Sequence, residues 1–218
     1  MSTAQEVRDH IDWRPVRSFI TAGEIPGPRR AVECEMFRLA SKGEVIRVRK
    51  GLYWKGPSTR VGMPLPRAYD IALEVAGPGA GPAELSAAHV LGLTTQVPAF
   101  EVVAVPGRCP APVDGIRFVS RSIERRFGAL RPLEVAVLEV FRQGPAVVEG
   151  PWSKVRRCVS SLAEQDGIRV EMIAEQVAIE HHVGVRERWS VLADSLGPPA
   201  TDRHLSGQST ARCERNVK

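Results

Sequence analysis

Residues 29–54 constrain the fold of this chain more than any other stretch, because their polarity pattern changes from helical to extended within one short segment. They read RRAVECEMFRLASKGEVIRVRKGLYW. In the first part, apolar residues recur at a spacing that places them on one stripe of a helix: Val32, Met36, Leu39 and Ala40. The opposite side carries a second set: Arg30, Cys34, Phe37 and Ser41. We therefore predict a helix with one face packed on a core and the other face free.

A short β-hairpin is predicted directly after this helix. Gly43 follows the predicted helix at a position where a residue in the left-handed backbone conformation commonly ends a helix. Residues 45–49 alternate between apolar and basic side chains, which is the period of a strand. An Arg-Lys-Gly turn at residues 49–51 leads into a second strand at residues 52–54. A helix followed by a basic-tipped hairpin is typical of the winged helix-turn-helix, a module that binds duplex DNA.

Earlier residues would complete this module. Residues 3–12 are predicted to form a short amphipathic helix, and residues 17–20 a brief extended segment. Thr21 is predicted to cap a small helix at residues 22–25, after which a Pro-Gly pair makes the turn into the long helix. The expected order is helix, helix, turn, helix and wing.

The net positive charge of the chain lies in this module. Residues 1–62 contain 12 Lys and Arg against 7 Asp and Glu, a net charge of +5, whereas residues 63–218 contain 18 of each. The alternative is an ordinary α+β domain whose charged residues only solvate its surface. The uneven charge favours the DNA-binding module, because a clustered basic surface attracts the phosphate backbone.

Composition excludes other classes of protein. No apolar run approaches the ~20 residues that cross a bilayer, and the first residues, MSTAQEVRDH, lack an apolar signal segment. We therefore expect a cytoplasmic protein. The chain has four cysteines: Cys34, Cys109, Cys158 and Cys213. They lie far apart, lack the paired spacing of a zinc site and are expected to be reduced.

The Gly and Pro content of residues 55–66, KGPSTRVGMPLP, predicts a linker between two domains. The first is the winged domain, residues 1–62, and the second is a mixed domain, residues 67–197. In the second domain we predict helices at residues 68–76, 87–91, 132–142, 152–164, 170–182 and 185–196, and strands at 100–105 and 116–120. Residues 198–218 are poor in apolar side chains and are expected to be disordered. The predicted fold class is α+β, a winged helix-turn-helix followed by a mixed α/β domain with a helical end.

Three polar groupings in the second domain have both a chemical and a structural interpretation. Ser86 and His89 could pair as nucleophile and base, but no elbow glycines surround the serine, which favours an N-cap and a surface histidine. Glu180 and the two histidines after it point in successive directions on a helix, which favours a solvated helix end over a metal site. The sequence GPGAGP lacks the Lys and Ser or Thr of a phosphate loop. We therefore expect no catalytic residue, metal or cofactor.

Two basic clusters stay open to two interpretations. They consist of Arg121, Arg125 and Arg126, and of Lys154, Arg156 and Arg157. Because the second domain is electrically neutral, solvated helix faces are favoured, and contact with flanking phosphates or RNA is the alternative.

Three segments together carry a family resemblance: the helix and hairpin of residues 32–54, residues 85–98 (LSAAHVLGLTTQVP) and residues 100–106 (FEVVAVP). Over about residues 15–196 the chain resembles the AbiEi-type antitoxins of type IV toxin–antitoxin systems. The resemblance implies a winged helix-turn-helix that represses its own promoter by binding inverted repeats, and a C-terminal domain that counteracts a nucleotidyltransferase-type toxin. Glu35 and Phe37 depart from the family pattern, which has a small residue at the first position and a small polar one at the second.

The sequence thus predicts a DNA-binding repressor and antitoxin that is not an enzyme. Its expected DNA contacts are Arg29, Arg30, Glu33, Phe37, Ser41, Arg47, Arg49 and Lys50. Thr94, Thr95 and Gln96 form the expected antitoxin surface. The expected partners are duplex DNA, bound by a monomer or weak oligomer, and the toxin, with no membrane. The alternatives are a protein-interaction antitoxin that binds its toxin directly, a stand-alone winged-helix regulator, and an enzymatic activity in residues 67–196.

Overall fold

The structure, a computed structural model, describes residues 2–196 and has the predicted α+β composition. The predicted disordered tail, residues 198–218, lies outside the described residues. In chain order the elements are α1 Thr3–Trp13, β1 Ser18–Thr21, α2 Arg29–Ser41, β2 Ile46–Arg49, β3 Leu52–Lys55, α3 Ala68–Ala76, β4 Gly81–Pro82, α4 Glu84–Val90, β5 Glu101–Pro106, β6 Ile116–Arg121, α5 Glu124–Phe127, α6 Pro132–Gln143, a 3-10 turn Gly144–Val147, α7 Ser153–Glu164, α8 Val170–Ile179 and α9 Val183–Leu196. None of the helices within residues 2–196 is long and apolar enough to span a membrane.

The N-terminal part packs α1 and α2 on one face of a small antiparallel sheet with the strand order β1-β3-β2. The predicted apolar stripe of α2 is confirmed, since Val32, Met36 and Leu39 are all buried. The opposite face of α2 is exposed, as predicted. The two helices and the sheet share a core of Val7, Ile11, Ile20, Ala22, Ile25, Val32, Met36, Leu39, Val45 and Tyr53.

The end of α2 has the geometry that Gly43 predicts. Gly43 has a φ of 75°, its N–H donates to the Ala40 carbonyl, and the Glu44 N–H donates to the Leu39 carbonyl. These two bonds form a Schellman motif, which satisfies helix carbonyls that would otherwise lack partners. The hairpin is also confirmed, with an irregularity in register between Arg47 and Arg49.

The small helix predicted at residues 22–25 is wrong. These residues form a turn, in which the Glu24 N–H donates to the Thr21 carbonyl at 2.9 Å. Thr21 itself belongs to β1, so it is no helix cap. Four residues are too few to offset the cost of helix nucleation, and Pro26, which follows them, supplies no N–H to continue the helix.

The predicted linker folds back on the sheet. We call residues 56–66 the strap. The Trp54 indole N–H donates to the Pro64 carbonyl at 3.1 Å, and the Gly56 N–H donates to the Met63 sulfur at 3.1 Å. A Cβ at position 56 would lie 2.5 Å from Trp54 Nε1, so the close approach requires glycine. The division of the chain into two domains stays a prediction.

The C-terminal part has a second small sheet with the order β4-β5-β6, in which β5 and β6 are parallel and β4 is antiparallel to β5. The two predicted strands are confirmed, and their parallel pairing brings both carboxyl ends to one edge. Four long helices follow, with a core that includes Val135, Leu138, Phe141, Ile173 and Trp189. β4, α5 and the 3-10 turn were not predicted, because two to four residues show no readable period.

Ser86 is not the predicted N-cap, because α4 begins two residues earlier, at Glu84. The Ser86 hydroxyl lies inside the fold and accepts a hydrogen bond from the Val102 N–H at 2.9 Å. This bond satisfies a backbone donor at the start of β5. α8 ends at Ile179, three residues before the predicted end, and α9 begins at Val183, two residues before the predicted start.

The predicted solvated faces at Arg125 and Glu180 are wrong. Both side chains are buried, and Arg125 bridges Glu139 at 2.6 Å and Glu180 at 3.0 Å. Arg121 also binds Glu139, at 2.8 Å, and Arg142 binds Glu180 at 2.6 Å. Burial by itself would raise the pKa of Glu139. The hydrogen bonds and positive charges of Arg121 and Arg125 outweigh burial, so the pKa of Glu139 is lowered. This network joins β6, α5, α6 and the end of α8.

Candidate nucleic-acid interface

The exposed face of α2 and the β2–β3 hairpin enclose two adjoining depressions. The tip depression, of about 330 Å³, lies beside the hairpin turn and is lined by Arg30, Glu33, Cys34, Phe37, Arg47, Lys50, Gly51 and Tyr53. The strap depression, of about 570 Å³, lies at the C-terminal end of α2 and is lined by Phe37, Ala40, Ser41, Lys42, Gly43, Val45, Ile46, Arg47, Gly62 and Met63. Phe37 and Arg47 border both. Arg30 and Lys42 are twelve residues apart, so the surface extends about 18 Å along α2.

This surface has an excess of unpaired positive charge. Its exposed cations form no ion pair with any acidic residue among residues 2–196: Arg30, Lys42, Arg47, Arg49 and Lys50. Some other cations of the N-terminal part are bound elsewhere, since Arg14 pairs with Glu24 and Arg38 with Glu35. Five of the unpaired cations of the N-terminal part therefore lie on the α2–hairpin surface, whereas Arg17, which is exposed just before β1, lies outside it.

The charge of Lys55 is also bound within the fold. Its ammonium donates to the Ile11 carbonyl at 2.7 Å and to the Arg14 carbonyl at 2.7 Å. These are carbonyls at the C-terminal end of α1, where a positive charge is favourable to the helix dipole. Lys55 thus ties α1 to β3 across the sheet.

The tip depression brings together five of the eight predicted DNA contacts: Arg30, Glu33, Phe37, Arg47 and Lys50. Phe37 is 59% exposed and does not pack in the core. Its ring lies between the two depressions, on the ridge that it shares with Arg47.

The other three predicted contacts lie around this group. Ser41 lines the strap depression, and its hydroxyl donates to the Phe37 carbonyl at 3.0 Å. Arg29 is exposed at the start of α2 and pairs with Glu33 at 2.9 Å. Arg49 is exposed at the end of β2 but lines neither depression.

Tyr53 and Lys42 also line this surface but were not among the predicted contacts. Tyr53 is buried at the back of the tip depression, where it lies opposite Arg47 in the strand register. Burial raises the pKa of its hydroxyl, and nearby Glu33 adds to the rise while Arg47 opposes it. Lys42 lines the strap depression. The sequence signal for Lys42 was its position just before Gly43 at the end of the helix. This signal is not specific, because cations favour helix C-termini whether or not they bind a ligand.

The predicted antitoxin surface is only partly exposed. Thr94 is 5% exposed, and its hydroxyl donates to Glu149 at 2.8 Å, so it cannot contact a partner as predicted. Thr95 is exposed, and its N–H donates to the same carboxylate at 2.9 Å. Gln96 and Val97 are exposed beside it. These hydrogen bonds lower the pKa of Glu149, and the bond from the Thr95 N–H has a larger effect than the bond from the Thr94 hydroxyl.

Within residues 67–196, the remaining polar groups that the sequence singled out do not converge on a site. The Ser86 hydroxyl is bound to the Val102 N–H, and His89 is exposed. Among residues 2–196, no three His, Cys, Asp or Glu side chains gather in a set that could hold a metal ion. Arg156 and Arg157 are exposed on α7, which agrees with a solvated helix face.

Comparison with known proteins identifies no family. No protein-family model matches the chain, and no curated protein matches it. Among solved structures, it is similar to the crystal structure of RV2827C protein from Mycobacterium tuberculosis, with 18% identity, a TM-score of 0.40, and coverage of 91% of this chain and 78% of that one. The function is therefore inferred from the residues of the α2–hairpin surface.

Proposed function

We propose that residues 1–62 form a winged helix-turn-helix that binds duplex DNA, with α2 as the recognition helix and the β2–β3 hairpin as the wing. The observation that supports this most directly is the group of unpaired, exposed cations on the α2–hairpin surface. An uncompensated basic surface of this kind suits the phosphate backbone, whose neutralisation releases counterions. The turn at residues 22–25 takes the place of the second helix in the predicted order of helix, helix, turn, helix and wing.

The residues of the surface suit different parts of the duplex. Arg47, Arg49 and Lys50 on the wing would hold phosphates or enter the minor groove, which positions the protein without reading sequence. Arg30 is exposed and unpaired, so its guanidinium is free to bind a guanine edge. Phe37 offers an apolar ring to a thymine methyl group. Glu33, Ser41 and Arg29 would lie toward or beside the groove.

This proposal is tested by a triple substitution on the wing, Arg47, Arg49 and Lys50 to Ala. We expect weaker binding to operator and random duplexes alike, with a flatter dependence of affinity on salt, because three phosphate contacts are lost. The matched control is the triple substitution Lys154, Arg156 and Arg157 to Ala on α7, which removes the same charge from the second part. Equal losses in the two triple variants would contradict the proposal.

We propose further that the chain is a cytoplasmic autorepressor and antitoxin, whose C-terminal domain counteracts a nucleotidyltransferase-type toxin. The AbiEi resemblance motivates this role, and the loop held by Glu149 supports it, because bonds to Thr94 and Thr95 fix the neighbouring Gln96 and Val97 in exposed positions. A fixed loop binds a partner at a lower entropy cost than a mobile one. Direct capture of the toxin and a regulator without a toxin are the alternatives.

The antitoxin role is tested by co-expressing the chain with a nucleotidyltransferase-type toxin encoded beside it. We expect protection to need residues 67–196, and replacement of Thr95 and Gln96 by Ala to reduce protection while repression persists. Full protection by residues 1–66 alone would leave the second part without this role.

A further inference from the structure

The strap places a basic turn beside the proposed recognition helix, at the end opposite the wing tip. Gly62 and Met63 line the strap depression together with Lys42 and Phe37. Arg60 and Val61 precede them in the chain, and both are exposed, Val61 to 98%. No described acidic side chain pairs with Arg60.

The turn that carries Arg60 is closed on itself. The Thr59 N–H donates to the Gly62 carbonyl at 3.3 Å, and the Gly62 N–H donates to the Thr59 carbonyl at 3.0 Å. The Thr59 hydroxyl donates to the same Gly62 carbonyl and accepts from the Val61 N–H at 3.3 Å. Gly62 has a φ of 101°, which favours glycine at the end of the turn.

The base of the strap is held as firmly. Trp54 packs against Phe19 with ring centroids 4.9 Å apart, and its indole N–H binds the Pro64 carbonyl. The Gly56 N–H binds the Met63 sulfur within the strap, and the Pro64 carbonyl binds the Trp54 indole, so the turn is attached through Pro64 to the same sheet that bears the wing. Its position relative to α2 is set before any ligand binds, which lowers the entropy cost of a contact made there.

From this arrangement we infer that the strap is a part of the DNA-binding surface, in which Arg60 contacts a backbone phosphate beyond the C-terminal end of α2. Lys42 and Arg47 line the strap depression and would continue the positive charge of Arg60 along the same surface. The strap is then a second clamp on the duplex, and the wing is the first. This inference rests on the proposed DNA binding and adds a contact that the wing does not explain.

The test compares Arg60→Gln with Arg108→Gln in the full chain. Arg108 is also exposed, and no described acidic side chain pairs with it, but it lies in the loop between β5 and β6. With a short mixed-sequence duplex, we expect Arg60→Gln to weaken binding about three- to tenfold at low salt and to lower the log–log salt slope by about 0.9, the value for one phosphate contact. Arg108→Gln should leave both quantities unchanged.

A second variant tests the turn without changing charge. Gly62→Ala has space for its methyl group, since nothing lies within 4 Å, but its backbone conformation is unfavourable for alanine. We expect it to weaken binding while the protein stays folded by circular dichroism. Hydroxyl-radical footprinting should show protected sugars at one edge of the site, and Arg60→Gln should lose only that protection.

The outcomes separate this inference from the proposed function. If wing substitutions weaken binding and Arg60→Gln behaves as Arg108→Gln does, the strap contact is wrong and the winged helix stands. If the wild-type chain binds no duplex at low salt, both are overturned. If Arg60→Gln and the wing variant each remove their own edge of the footprint, the two-clamp arrangement holds.

Discussion

At the scale of single residues, accessible charge differs from formal charge. Of the cations in the N-terminal part, Arg14, Arg38 and Lys55 are engaged within the fold, whereas Arg30 and Lys50 are free. The sequence shows how many charges there are but not which of them are paired. Helical spacing nevertheless placed Arg30 and Phe37 on the free face correctly, because the period of a helix fixes the direction of its side chains.

Arg30 is expected to read a base, since its side chain faces the tip depression without an acidic partner among the described residues. Replacing it by Ala should cost about 1 to 3 kcal/mol on the preferred site and relax the preference at one base position. Selection from a random DNA library with wild-type and variant chains measures this. An unchanged preference at every position would remove Arg30 from base reading.

Arg125 is expected to be essential for stability, because its side chain is fully buried between two carboxylates. Arg125→Gln would leave Glu139 and Glu180 short of their partner, which costs about 3–5 kcal/mol when one member of a buried ion pair is removed. Urea unfolding measures the change. The control Arg156→Gln, on the exposed face of α7, should shift the unfolding free energy by less than about 0.5 kcal/mol.

At the scale of elements, the helices and strands of the N-terminal part followed from periodicity, while their contacts did not. The irregularity between Arg47 and Arg49 shifts the strand pairing of the wing by one residue. No alternation pattern reveals such a shift, so the pairing of Arg47 with Tyr53 was beyond sequence reasoning. The strap was read as a linker because Gly and Pro predict irregular backbone and do not say where it packs.

Lys55 is expected to stabilise α1 without contacting DNA, because its ammonium binds carbonyls at the end of that helix. Lys55→Met keeps the aliphatic stem and should lower the unfolding free energy by about 1–2 kcal/mol. It should leave the salt slope of DNA binding unchanged. The opposite pattern is expected for Lys42→Met, since Lys42 is exposed at the strap depression. A lower salt slope in Lys55→Met would contradict this assignment.

At the scale of the whole molecule, the two parts have separate apolar cores, one within residues 7–53 and the others within residues 72–192. Periodicity and capping residues predicted most of the helices of residues 67–196 but missed α5, and they did not predict the ion network that links β6, α5 and α6. Burial of Arg125 depends on contacts between elements distant in sequence, which spacing along one helix cannot reveal.

Most of the nonspecific DNA affinity is expected to reside in residues 1–66, because the charge excess of +5 lies in residues 1–62 and residues 63–218 are neutral. Gel-shift titration of the two halves at about 50 and 200 mM salt measures this. Circular dichroism of each half verifies folding. Retention of DNA by a folded residues 67–218 fragment, with none by the folded N-terminal fragment, would contradict it.

Acid should destabilise the C-terminal part through Glu134 and Glu139. Burial raises the pKa of Glu134, but hydrogen bonds from Arg169 and Arg131 outweigh it, so the pKa is lowered in the folded state, as it is for Glu139. A carboxyl with a lowered pKa stabilises the fold above its unfolded pKa of about 4.3, and that contribution is lost as the pH falls further. Thermal unfolding between pH 7 and pH 3 should show falling midpoints below about pH 4.3. A flat profile would contradict the network's role.

The positive charge of the α2–hairpin surface would also affect the rate at which the molecule associates with its partner. A molecule whose net positive charge lies in one part, here +5 in residues 1–62 against none in residues 63–218, has an electric dipole, and it turns in the field of an anionic polymer before the two touch. Fewer encounters are then wasted on the wrong orientation, so the association rate, more than the lifetime of the complex, would carry the dependence on salt. After a first collision the same face would stay toward the polymer, which favours a search by sliding over one by repeated release.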